Sequence, residues 1–85
     1  MAIDNEMTKT LEEKLEKWHK LEEEARRIRE SEADWSFIER QPPKIKAALK
    51  YYIKTGDLYV ASRIAGLKVE EFNLLRIKAK IPNVA

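Results

Sequence analysis

Cysteine is absent from the 85 residues, so neither a disulfide framework nor a thiolate-held zinc site is open to this chain. Glycine occurs twice and proline three times; with 44% hydrophobic residues, so few breakers point to a folded, helical chain rather than a disordered one. No stretch approaches the roughly 18 consecutive apolar residues that cross a bilayer. The start "MAIDNEMTKT" lacks the basic n-region and apolar run of a signal peptide, so a soluble, cytoplasmic protein is expected. Patterns for catalysis are missing too: there is no Gly-rich phosphate loop, no histidine beside a plausible nucleophile and no metal-ligand cluster. The one histidine, His19, lies in "KWHKL" on an acidic segment, and the carboxylates between 12 and 32 are spaced for salt bridging. No enzyme, metal or cofactor is expected.

What is present in quantity is charge, at 38% of residues, and it is divided unevenly. Residues 1–41 hold 8 Lys/Arg and 12 Asp/Glu, a net −4, whereas residues 42–85 hold 9 and 3, a net +6. Any binding of a polyanion belongs to the second half.

The pattern predicts an all-α protein in two parts: a long, acidic, coiled-coil-like amphipathic helix over 1–41, as a dimerisation or packing arm, then a compact, basic, three-helix helix-turn-helix domain over 42–85. Leu11, Trp18, Leu21, Ala25, Ile28 and Trp35 step by heptad spacing along the first part, with Lys14 and Glu32 interrupting the seam and Leu15 widening it. Glu13–Lys17, Glu16–Lys20, Glu22–Arg26 and Glu23–Arg27 are i,i+4 pairs worth about 0.2–0.5 kcal/mol each. Thr8 or Thr10 can cap its start, and "SEAD" at 31–34 allows a restart, so continuity to Arg40 stays open. One apolar stripe cannot hold such a helix alone; it needs a second copy, the second half, or both.

"QPP" at 41–43 ends this helix, and Pro43 suits the first turn of the next. "PKIKAALKYYIKT" is then a helix stopped by Gly56; Asp57 caps "LYVASRIA", which Gly66 ends; and "VEEFNLLRIKAKI" runs to Pro82. An eight-residue helix, a tight Gly turn and a following helix have helix-turn-helix spacing, with Ala61, Ser62 and Ala65 small where the two helices cross.

The stretch "GDLYVASRIAGLKVEEFNLLRIKAKIPNV", with its approach, resembles the small prokaryotic helix-turn-helix proteins known as VapB-like antitoxins. The resemblance rests on Tyr51/Tyr52, Gly56, Ala61–Ser62, Ala65–Gly66–Leu67, Glu71–Phe72, Leu74–Leu75 and Ile81–Pro82, and covers residues 47–84. It implies binding to double-stranded DNA near the protein's own gene and neutralisation of a PIN-type nuclease toxin.

On a wheel of about 100° per residue, Phe72, Leu75 and Ala79 form the core face of the last helix. Asn73, Arg76 and Lys80 make a polar edge near Val69, and Glu71 lies with Lys78 toward solvent. Leu74, Ile77 and Ile81 form a second apolar stripe, expected to meet a second subunit, the first helix or a partner. The leading expectation is a dimeric DNA-binding regulator or antitoxin-like component. Lys46, Lys50 and Lys54 would hold phosphates, Arg63 and Lys68 flank the turn, and Asn73, Arg76 and Lys80 would probe the major groove. The alternative is a protein-interaction module that binds no nucleic acid.

Overall fold

The computed structural model describes the backbone of residues 2–84 and the side chains of residues 11–84. It is all-helical: α1 (Ala2–Glu32), α2 (Trp35–Glu39), α3 (Pro43–Thr55), α4 (Leu58–Ala65) and α5 (Val69–Lys78), with no strand among the described residues. None of these helices is long and apolar enough to cross a membrane.

Helix α1 begins at Ala2, upstream of Thr8 and Thr10, and stops at Glu32, so the chain does not run as one helix to Arg40. Asp34 restarts it as α2. Its carboxylate accepts from the Phe37 N–H at 3.1 Å and the Ser36 hydroxyl at 2.9 Å. Those two bonds hold its pKa below the ordinary 3.8. The Trp35 indole donates back to the Glu30 carbonyl at 2.9 Å, folding α2 against the end of α1. Trp35 therefore belongs to this corner rather than to a heptad seam on α1.

The core collects Ile38 of α2, Ala48, Leu49, Tyr52 and Ile53 of α3, Ala61 and Ala65 of α4, and Phe72, Ala79 and Ile81. Each of α3, α4 and α5 is too short to be stable alone, so mutual burial is what holds them. Ala61 and Ala65 let α4 approach its neighbours closely, and Ser62, also buried, satisfies its hydroxyl on the Tyr59 carbonyl at 2.6 Å. Tyr52 meets Phe72 edge to face at 6.4 Å and donates its hydroxyl to Asn83 at 3.2 Å, which pins the segment after α5.

The ends of α4 and α5 share one geometry. After α4, Gly66 (φ 69°) donates to the Arg63 carbonyl and Leu67 to that of Ser62. After α5, Lys80 (φ 57°) donates to Ile77 and Ile81 to Arg76. Both are Schellman closures, and each turns the following apolar residue inward. This corrects two expectations: α5 ends at Lys78, not at Pro82, and Ile81 is buried in the core instead of lying on an outer stripe with Leu74 and Ile77. The reversal at Lys80 takes both residues off the helical wheel.

Arg29, buried on α1, joins the long helix to the rest. Its Nε donates to the Ile53 carbonyl at 2.8 Å and its Nη1 to the Val84 carbonyl. Gly56, at φ 71°, lies directly beneath it, and a Cβ there would stand 3.0 Å from Arg29 Nη1. Glycine is thus required twice over, by the backbone and by the guanidinium.

Candidate functional site

Two groups of expected DNA contacts can be followed onto the fold. Lys46 and Lys50, one turn apart on α3, both reach Glu39 of α2, at 3.4 and 3.1 Å. Hydrogen bonds from Lys50 and Lys46 hold the Glu39 carboxyl below its ordinary 4.5. Of the three lysines expected to hold phosphates, two are therefore already paired with a carboxylate. Lys54, the third, lies at the far end of α3, beside a groove of about 620 Å³ under α1 that Trp18, His19, Arg26 and Arg29 also line.

The edge of α5 differs more. Arg76 Nε donates to Asn73 Oδ1 at 2.8 Å and its Nη1 to the Ile81 carbonyl at 2.6 Å. Arg76 thus serves the closure of its own helix and occupies the Asn73 acceptor, while Lys80 stands exposed at the reversal. Lys68 precedes α5, and its backbone N–H is taken by Glu71 Oε1 at 3.3 Å. Glu71 is therefore engaged at the start of α5 rather than paired with Lys78, as half of a capping box; lysine has no acceptor to complete it. Arg63 lies over the exposed Tyr59 ring at 5.8 Å.

One outward face of α5 carries two apolar side chains. Leu74 is 61% and Ile77 54% exposed, on the same face as Glu70. On α1, Ala25 is buried against the body, whereas Leu11, Leu15, Trp18, Leu21 and Ile28 are exposed. Of the i,i+4 ion pairs expected there, none closes; among the described residues of α1, Arg26 pairs with Glu30 instead, at 3.0 Å.

Two residues that sequence reasoning missed matter here. The Lys44 ammonium, in the first turn of α3, sits 3.7 Å from where a Gly66 Cβ would be, placing an exposed cation beside the turn between α4 and α5. Its position in "PPKIK" gave no sign of this, because the turn lies 22 positions further along the chain. Arg29 stood out only as one more charge in "EEEARRIRESE".

Among the described residues no three His, Cys, Asp or Glu side chains gather as a metal site. Among those residues, too, no buried side-chain nitrogen or oxygen is left without a partner. Comparison with family models, with curated proteins and with solved structures returned no match, so the resemblance to VapB-like antitoxins gains no support from them.

Proposed function

We propose that this chain is a homodimeric protein-interaction module on a helix-turn-helix scaffold. In this reading α1 is its coiled-coil-like arm and the outward face of α5 docks a protein partner. One observation carries the reading: Leu74 and Ile77 face solvent on the helix that, in a DNA reader, would enter the groove. A groove-reading face needs donors and acceptors for base edges, and here Arg76 and Asn73 are engaged with each other. Exposed apolar neighbours on a small domain fit a protein surface better. The partner implied by the antitoxin resemblance is a PIN-type nuclease encoded beside this chain.

DNA binding is the second reading, favoured by the +6 charge of residues 42–85 and by Lys44, Arg63 and Lys68 around the turn. Lys46, Lys50 and Lys54 would then contact phosphates, with Lys80 and a released Arg76 reaching the groove.

Two measurements separate the readings. The first is titration against labelled duplex from upstream of the protein's own gene, over a range of salt, beside a scrambled duplex. The second is capture of the neighbouring gene's product by the full chain and by Ile77→Asp. No duplex binding at low salt, with capture lost in Ile77→Asp, supports the interaction reading. Preferential, salt-sensitive binding to the native duplex that disappears in Arg76→Glu/Lys80→Glu, with Ile77→Asp unaffected, overturns it in favour of DNA.

A further inference from the structure

The outward face of α5 carries charge of both signs as well as Leu74 and Ile77, and the two signs stand at opposite ends. Glu70, Leu74 and Lys78 follow one another at i, i+4 spacing. At about 100° per residue, Glu70 and Lys78 each lie about 40° from Leu74 around the helix. All three are exposed, and neither Glu70 nor Lys78 enters an ion pair among the described residues. Glu71, by contrast, is engaged at the start of the helix. An acid in the first turn and a base in the last suit the helix dipole, which accounts for the two signs but not for the apolar pair between them. The face thus runs from acidic through apolar to basic along its length.

We propose that a second copy of this chain covers this face, with the two α5 helices antiparallel about a twofold axis near Leu74. The proposal rests on the reading above that the face docks a protein, and it names the occupant in the protein on its own. A contact between identical copies about a twofold axis must be complementary to itself. In the antiparallel order Leu74 meets Leu74, and Ile77 of each copy lies beside Leu74 of the other. Each Glu70 then stands level with the other copy's Lys78, twice over. Parallel helices would instead set Glu70 against Glu70 and Lys78 against Lys78, and like charges across a contact oppose it. The order of charge along α5 selects the direction.

The attachment of α5 leaves this side open. Phe72 and Ala79 are buried in the core and Leu75 packs against it. Leu74 and Ile77 lie about 140–160° around the helix from Phe72. Two copies meeting across the face therefore carry their cores on opposite sides of the contact. From Glu70 to Lys78 is about 12 Å, so the contact is small and the dimer is expected to dissociate on dilution.

Charge exchange tests the arrangement in the full chain, by sedimentation over a range of concentrations. The expected result is a concentration-dependent dimer that Leu74→Asp abolishes and that Glu70→Lys and Lys78→Glu each weaken at least tenfold. An equal mixture of the two charge variants should recover it, since at these positions one copy is then wholly positive and the other wholly negative. That recovery excludes misfolding as the cause of either loss. A dimer lost in Leu74→Asp but weakened by neither charge variant overturns the antiparallel order. A dimer indifferent to all three overturns the use of this face and leaves the homodimer standing. A monomer at every concentration that still captures the neighbouring gene's product, with capture lost in Ile77→Asp, overturns the second copy and leaves α5 as a docking face. A monomer that captures nothing overturns both.

Discussion

Leu11, Leu15, Trp18 and Leu21 are side chains of much the same kind as Leu49, Tyr52 and Ile53, and both sets recur at helical spacing. The second set is buried, whereas the first is more than half exposed. The difference lies in what surrounds them. In the body, three short helices cross one another and are closed at their ends by Asp57, Gly56, Gly66 and the Lys80 reversal. Apart from Tyr59, Leu74 and Ile77, which stay exposed, the large apolar side chains there meet one another. On the outer part of α1 no second element among the described residues returns to complete the pair. Helical periodicity states which residues share a face; burial is conferred by a partner. The two regions meet at Arg29, the charged side chain of α1 that penetrates the body.

The largest expected effect tests that division directly. Phe72→Ala removes a ring with no exposed surface and should cost about 3–5 kcal/mol in urea unfolding. That is a large share of the stability of so small a domain. Trp18→Ala, measured at a concentration where the protein is monomeric, should stay within about 0.5 kcal/mol of wild type. A comparable loss in both would mean that the arm's row packs on its own body, and the division would fail.

Next comes the junction. Arg29→Met keeps the aliphatic stem but withdraws the donors from the Ile53 and Val84 carbonyls. The loss should be about 2–3 kcal/mol, from buried acceptors left unmatched. Hydrogen exchange should rise at the end of α3 and leave α4 unchanged. If exchange rises evenly through the body, Arg29 is part of the core rather than a fastening between two regions.

Much of this was legible in the sequence. "QPP", Gly56, Asp57 and Gly66 each announce a helix boundary by backbone or capping chemistry, and the structure places helix ends at all of them. "SEAD" allows either a break or a continuous first helix, and the Asp34 cap decides it. The end of α5 was hidden because lysine stands where the same turn after α4 carries glycine. Without a Gly signal the helical wheel ran on past Lys78 and set Ile81 on the wrong side. The partners of Lys46, Lys50 and Arg76 were hidden for another reason. Glu39 meets the lysines across a chain reversal, and Arg76 turns to a carbonyl beyond its own helix. Wheel geometry contains neither.

That shared turn suggests a smaller, stabilising change. Lys80→Gly relieves a left-handed residue that carries a Cβ and should raise stability by about 1 kcal/mol. Gly66→Ala, at the matching position after α4, should lose about as much. Thermal unfolding of the two variants side by side tests whether the closures are equivalent. If Lys80→Gly gives no gain, Lys80 supplies the fold with something that its backbone geometry does not reveal, and Asp34, whose carboxylate feels its charge, is the first place to look.

The smallest expected effect bears most on function. Glu39 has a folded pKa depressed below 4.5 by Lys50 and Lys46, so its contribution to stability is complete above that value and fades as pH falls through the folded pKa. Glu39→Gln should therefore flatten that part of the acid unfolding curve and change little at pH 7. The same substitution frees the two lysines. If α3 contacts phosphate, the variant should bind duplex more tightly and with a steeper salt dependence, since two more cations can displace counterions. If duplex binding is absent from both proteins while capture of the neighbouring gene's product is unchanged, Glu39, Lys46 and Lys50 form a structural clamp between α2 and α3. The positive half of the chain then owes its charge to solubility and its binding to the apolar face of α5.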